Sequence, residues 1–350
     1  MNLVSFASKL MLAKLTNRAI PFQVTINLLD ACNLKCEYCF CAFPQRHLKS
    51  IPTERLLRLI DELAEAGTVK INLAGGEPLL YKRVDDVIAA IRDHGIDCYV
   101  NTNGCYVEDH IEALRRITRI NISLDGDEAA HDQARGAGSH AKAINALAVA
   151  KREQIPRQIT TVVGAHNLDQ LDYLVGVAGE HDAQIVIVNM MPPRDLPPSR
   201  FALDDESVRK LFAEVIERKR RGEPFIYSLQ AMTHLTEWPY PLEKDLVFRD
   251  EAFSGNDIPC HGGRFFCAVD TNGDLYPCCP AIGVVKPAPN ILNQSFRDAF
   301  AKLRYHNCVA CNVPQSVDMN LLFSLRPSVI VNTLGCYRTH EEPLAAGVEA

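Results

Sequence analysis

The chain has 350 residues, of which 47% are hydrophobic and 23% charged, and carries a formal net charge of −6. That length suits one large domain with a smaller companion, and the acid excess excludes a global basic field for nucleic acid. No apolar run approaches the roughly 18 residues of a membrane span, and no clear signal core with a small-residue cleavage site opens the chain, so a cytoplasmic location is expected.

In chain order, residues 1–21 read as a helix with Leu3, Phe6, Ala7, Leu10, Met11 and Leu15 on one broad face. The expectation is a helix packed on the body of the protein, with peripheral contact at a membrane surface as the alternative. From 22 to 222, short apolar strands alternate with amphipathic helices. The strands are expected at 23–28, 69–73, 98–101, 119–124, 158–163 and 184–189. The helices are expected at 53–66, 83–94, 108–116, 141–153, 168–181 and 204–221. Thr53 is placed as an N-cap, and Gly67 and Gly95 as left-handed helix ends. Six consecutive β–α units imply a parallel sheet of α/β class. Residues 223–254 form a bridge, 255–312 a cysteine-rich segment, and 313–350 a C-terminal helix and tail. Across the bridge region (194–254), the apolar helix near Val208–Ile216 and the aromatics of Trp238-Pro239-Tyr240-Pro241 would line a pocket or cover the barrel's open side.

Thirteen cysteines in a chain without a signal favour metal or redox use over disulfides, and they cluster at 32–41 and 260–311. Cys32, Cys36 and Cys39 are spaced C-x3-C-x2-C. Three thiolates this close hold three irons of a [4Fe–4S] cluster and leave the fourth iron open to a small molecule. Zinc, a disulfide pair or buried thiols are the competing readings, and zinc sites ordinarily close all four positions. Further motifs follow successive strands: Gly75-Gly76-Glu77-Pro78, Asn101-Thr102-Asn103-Gly104 and Ser123-Leu124-Asp125-Gly126. In barrels of this kind, function sits at the C-terminal ends of strands.

These motifs together resemble the radical S-adenosylmethionine (SAM) enzymes. The resemblance implies a partial (βα)6 TIM-type barrel, a SAM-binding [4Fe–4S] cluster on Cys32, Cys36 and Cys39, and formation of a 5′-deoxyadenosyl radical that abstracts hydrogen. It further implies Tyr38 beside the adenine, Gly75, Gly76 and Glu77 at the amino group of SAM, and Asn103 and Ser123 at its ribose and carboxylate. Arg135 would reach the carboxylate, and Asn189 and Met190, which close strand six, the adenine. Cys105, just beyond the third motif, is a candidate hydrogen-atom donor to a substrate radical, with an incidental thiol as the bland alternative.

The second cysteine group contains a hairpin signal, Asn272-Gly273, followed by Cys308-Val-Ala-Cys311. It resembles the SPASM or shorter twitch extension that carries auxiliary iron–sulfur clusters. No C-x5-C-x3-C run follows Cys311, which favours the one-cluster form. That resemblance implies an auxiliary [4Fe–4S] cluster on Cys260, Cys278, Cys308 and Cys311. Cys267 or Cys279 in place of one of these, Cys336 as a further ligand, or a zinc site on the same thiolates, remain open.

Only about 21 residues precede the first strand, so a leader-binding domain ahead of it is not expected. A small molecule (sugar, aminocyclitol, nucleotide or lipid precursor) undergoing oxidation or epimerisation is therefore the first reading. A peptide maturase (crosslinking or epimerisation) and a non-catalytic iron–sulfur electron carrier are the alternatives. A flavodoxin- or ferredoxin-type donor is the expected redox partner.

Overall fold

The computed structural model describes residues 3–191, 197–249, 251 and 258–338. Pro192, Pro193, Arg194 and Ser254 of the expected bridge, and the tail from 339, lie outside the described residues. Helix α1 (Leu3–Leu15) precedes β1 (Gln23–Asn27), α2 (Thr53–Ala66), β2 (Lys70–Ala74), α3 (Val84–Asp93) and β3 (Asp97–Thr102). Then come α4 (Ile111–Leu114), β4 (Arg119–Ser123), α5 (Glu128–Arg135), α6 (Ser139–Arg152), β5 (Arg157–Val163), α7 (Leu171–Glu180) and β6 (Gln184–Asn189). The remainder is α8 (Asp205–Arg220), α9 (Leu229–Thr236), β7 (Leu246–Phe248), β8 (Phe266–Val269), β9 (Leu275–Tyr276), α10 (Phe296–Leu303), β10 (Cys308–Cys311), α11 (Pro314–Phe323) and α12 (Pro327–Arg338).

The six strands β1 to β6 pair in parallel and in sequence order, giving the expected partial barrel. Alternation along each strand sets the two faces. Val24, Ile26, Ile71, Leu73, Val100, Ile120, Ile122, Ile159, Ile185 and Ile187 are buried in the main core under the helices. The intervening residues point into the lumen. Helix α2 shows why the outer layer closes: Leu56, Leu59, Ile60 and Leu63 follow the i, i+3, i+4, i+7 stripe and are buried. The helix stops at Gly67, in the left-handed region at φ 93°. Its N-cap position is Pro52, not Thr53, whose hydroxyl instead meets the Tyr81 hydroxyl at 2.8 Å.

The cysteine-rich segment is continuous with the barrel. Strand β8 pairs in parallel with β1, and β9 pairs antiparallel with β8, extending the sheet to eight strands. The hairpin exists, but its connection spans 270–274, with Asp270 N donating to Asp274 O; Gly273 supplies the positive φ of 87° inside this five-residue loop. The C-terminal region holds two helices, α11 and α12, where one was expected. Trp238 packs in the main core, with Nε1 donating to Lys244 O, and neither it nor Tyr240 lines the main cavity. The Arg209 guanidinium donates to the carbonyls of Trp238 (2.7 Å) and Tyr240 (3.2 Å), so this aromatic turn is structural.

Candidate active site

A cavity of about 1060 Å³ runs beneath the loop after β1 and through the barrel lumen. Cys32, Cys36 and Cys39 are all half-buried and all line it. A turn closed by Cys39 N to Cys36 O (3.2 Å) brings the last two together. Burial pushes the Cys32 thiol up to about 11 and raises Cys36 and Cys39, and the neighbouring thiols add to the effect at Cys32. Three converging thiols in a poorly hydrated place demand a cationic partner before they ionise, which is what an iron cluster supplies.

The glycine pair after β2 is dictated by the loop it lies against. A Cβ on Gly75 would come within 2.6 Å of Leu29 O, and one on Gly76 would strike the Ala31 carbonyl oxygen. That approach lets Gly76 N donate to Leu29 O (2.8 Å) and Glu77 N to Ala31 O (2.9 Å). Glu77 lines the cavity, but its carboxylate accepts from Leu79 N (3.1 Å), Thr102 Oγ1 (2.8 Å) and Asn103 N (2.8 Å). Burial outweighs those three donors and pushes its pKa up to about 7. Asn103 donates from Nδ2 to Asn33 Oδ1 (2.8 Å), beside Cys32, and Ser123 lines the cavity at the end of β4.

The sequence reading placed Asp125 in a strand-end motif but gave it no role. Its carboxylate is fully buried and accepts from the Tyr38 hydroxyl, from Arg135 Nε (2.7 Å) and Nη2 (3.2 Å), and from Val162 N (3.0 Å). Burial alone would raise its pKa; Arg135 and its other partners hold it well below the carboxylate range instead. His166 stacks on Tyr38 with ring centres 5.7 Å apart, and His131 Nδ1 accepts from Asp125 N at 3.1 Å. Arg135 ends a helix, is buried, lines the cavity, and is engaged by Asp125. Tyr38 lines it as well, with the Arg135 guanidinium 5.4 Å from its ring centre. The available signal was an Asp at a strand end ten residues before an Arg.

Two expected site residues fall elsewhere. Met190 packs with Tyr38 and Phe201 in a small satellite core, and the cavity is lined by its neighbours Asn189 and Met191. Met190 thus lies beside Tyr38, the residue that the resemblance puts at the adenine, without reaching the cavity itself. Cys105 does not line the cavity; its backbone N donates to Asn103 Oδ1 at 3.0 Å.

In the second group, burial raises the Cys278 thiol first, and Cys308, Cys260, Cys311 and Cys279 each add to it, so all four lie near Cys278. Burial pushes Cys311 up to about 12, and Cys260 adds to it. Cys279 lines the cavity beside Cys278, its pKa is pushed up to about 11 by burial, and it also neighbours Cys41 and Cys267. Cys336 lies on α12 against Ile226 O and so apart from the four. Among the described residues, no group of three or more His, Cys, Asp or Glu side chains is drawn tightly enough for a single metal ion. The chemistry of four neighbouring thiols suits an iron–sulfur cluster or a zinc ion alike.

Below the loop, the lumen is lined by the uncharged polar side chains Asn72, Asn101, Asn121, Gln158, Thr160 and Asn189, together with the cations Lys70 and Arg119. Asn121 Nδ2 donates to Asn101 Oδ1 (2.6 Å), while the side-chain oxygens of Asn72, Asn121 and Asn189 have no partner. Lys70 lies deeper, its Nζ 3.8 Å from the Tyr99 ring centre.

Residues 26–175 match the family model described as the radical SAM superfamily. Mycofactocin maturase MftC of Mycobacterium ulcerans is 30% identical over 287 residues, covering 78% of this chain and 72% of that protein. The AdoMet-dependent heme synthase of Methanosarcina barkeri is 27% identical over 310 residues, covering 81% and 85%. The crystal structure of Streptococcus suis SuiB bound to precursor peptide SuiA shares the fold with a TM-score of 0.66 at 20% identity, over 85% of this chain and 68% of that one. From the three-cysteine loop, the glycine pair packed on it, the parallel barrel beneath and the matched sequence, it follows that the chain belongs to the radical SAM superfamily.

Proposed function

We propose that the chain takes a hydrogen atom from a C–H bond of a peptide held in the barrel lumen, and that Cys260, Cys278, Cys308 and Cys311 hold an auxiliary cluster that exchanges an electron with the substrate. The SAM-binding cluster supplies, when bound, the electron that cleaves SAM and so the 5′-deoxyadenosyl radical. The residues do the rest. Cys32, Cys36 and Cys39 hold three irons. Gly75 and Gly76 let the backbone lie against the cluster loop, and Glu77 fixes Asn103 beside Cys32. Asp125 locks Tyr38 and Arg135 into the wall.

The observation that carries the peptide reading is the lumen. Unpaired amide oxygens on Asn72, Asn121 and Asn189 suit the N–H groups of a peptide backbone. The maturase relative and the peptide-bound SuiB structure support the same reading, which displaces the small-molecule expectation. A small molecule remains the second reading, because the heme synthase relative aligns over most of both chains.

Anaerobically reconstituted protein with SAM and a reductant, supplied with size-fractionated cell extract, separates the two. Stimulation of 5′-deoxyadenosine formation that disappears when the extract is protease-treated supports a peptide. Stimulation that survives protease in the smallest fraction overturns it.

A further inference from the structure

Helix α1 is apolar on two opposite sides, and only one of them is covered. Phe6, Leu10 and Ala13 follow the i, i+4, i+7 spacing and pack against Phe22, Phe323 and the second core. On the other side Met11, Leu12 and Leu15 are 48%, 55% and 81% exposed. A helix that is hydrophobic all round ordinarily needs cover all round.

Charge says what the cover is. Residues 1–29 contain no Asp or Glu, although the chain has 43, and they carry Lys9, Lys14 and Arg18. Lys9 and Arg18 are exposed. Arg304 joins them, its Nη2 3.5 Å from Asn17 Oδ1, and the next residue, Tyr305, is 87% exposed. Arg264 lies nearby: after burial, it lowers the pKa of Lys14, and Arg304 in turn lowers that of Arg264. The result is an apolar stripe with a tyrosine and a cationic surround, on a molecule whose net charge is negative.

The same helix forms part of the cavity wall. Ala7, Ser8 and Met11 are exposed and also line the cavity that reaches Cys32 and Glu77, so the cavity comes to the surface along α1. Leu322, Phe323 and Ile330 continue that wall.

We propose that the Met11, Leu12 and Leu15 face of α1, with Lys9, Arg18, Arg304 and Tyr305, seats on an anionic lipid bilayer and places this end of the cavity against the membrane surface. The apolar side chains enter the interface and the cations meet lipid phosphates. This goes beyond the substrate reading and stands whether the substrate is a peptide or a small molecule.

Co-sedimentation of the full chain with vesicles tests it. Vesicles of equal parts phosphatidylcholine and phosphatidylglycerol should carry the protein down, and phosphatidylcholine vesicles should not. Binding should fall steeply toward ~1 M salt, where the Debye length is about 3 Å. The double variant L12D/L15D should lose at least about tenfold in partitioning. Lys9→Glu and Arg18→Glu should each lose roughly fivefold or more. Leu168→Asp, an exposed leucine elsewhere, should bind as the parent does, and a far-ultraviolet spectrum confirms that each variant is folded. Equal binding to both vesicle types, or none at low salt, overturns the proposal. So does a dimer in lipid-free size-exclusion chromatography that L12D/L15D dissociates, since the face would then be covered by a second copy.

Discussion

The Arg46 guanidinium lies 2.7 Å from Asp270 Oδ2, and with the Ile51 N to Thr271 O bond (3.0 Å) it ties the segment after the cluster loop to the hairpin that leads to Cys278. Asp270 also accepts from Asn27 Nδ2 (3.1 Å) at the end of β1, and Arg46 is 3.4 Å from Asp30. Asp270→Asn should cost about 1–3 kcal/mol in urea unfolding, less than a fully buried pair because Arg46 keeps some solvent contact and Asp30. Iron bound at the first site should fall with it. Unchanged stability and iron content would show that the tie is incidental.

Gly76→Ala should release the cluster loop. The added methyl meets the carbonyl oxygens of Asp30 and Ala31, backbone atoms that move only if the loop does. Anaerobic reconstitution should yield less iron at the first site, while circular dichroism stays that of the parent. Full iron loading would show that the loop relaxes freely.

Asp125→Asn should be severe, about 3–5 kcal/mol, because it leaves a buried guanidinium without its carboxylate. The double variant Asp125→Leu with Arg135→Met should be less destabilised than the sum of its parts, since no charge is stranded. Additive losses in a denaturant cycle would mean that the two side chains do not act as a pair.

His131 gives a pH dependence. Burial, and then Arg135, hold its pKa down at about 4, against about 6.5 for an ordinary histidine. A depressed base stabilises the fold above the unfolded value and loses that contribution as pH falls from 6.5 to 4. The loss amounts to about 3 kcal/mol. His131→Asn keeps an acceptor for Asp125 N, so the variant should lose about 3 kcal/mol less than the parent across that window. Parallel stability curves would remove His131 as the cause.

With Cys32, Cys36 and Cys39 all changed to Ala, about four irons per chain should remain after reconstitution. With Cys260, Cys278, Cys308 and Cys311 changed instead, about four should again remain, now at the SAM site. Iron lost wholly in the first variant would assign the second group to zinc or plain thiols.

Strand periodicity and the glycine-rich strand ends made the barrel legible in the sequence, because parallel strands under helices leave a strong apolar alternation. The three-cysteine loop was legible because ligand spacing is local. The reason for Gly75 and Gly76 was not: it lies in the carbonyls of a loop some 45 residues earlier. Asp125 was given no role because its partners, Tyr38, Arg135 and Val162, meet only after β1 to β5 have paired. Of the pair that closes strand six, Asn189 lines the cavity and Met190 packs behind Tyr38, a division that no local pattern announces. The Asn272-Gly273 pair correctly marked a turn, but Asp270 and Asp274 widened it by closing the loop around the pair.

Strand β1 has neighbours on both sides, and one of them, β8, arrives 243 residues later in the chain. Counted from the end of β6 at Asn189, where the six-strand barrel is complete, β8 begins 77 residues on, which takes a ribosome on the order of four to fifteen seconds at roughly 5–20 residues per second. For that interval a barrel formed from the first six strands presents β1 as a bare, apolar edge, the kind of surface that recruits foreign strands. The nascent protein is therefore most vulnerable after its barrel is complete and before its second group of cysteines has been made. Fragments cut near residue 222 should be prone to aggregate for the same reason.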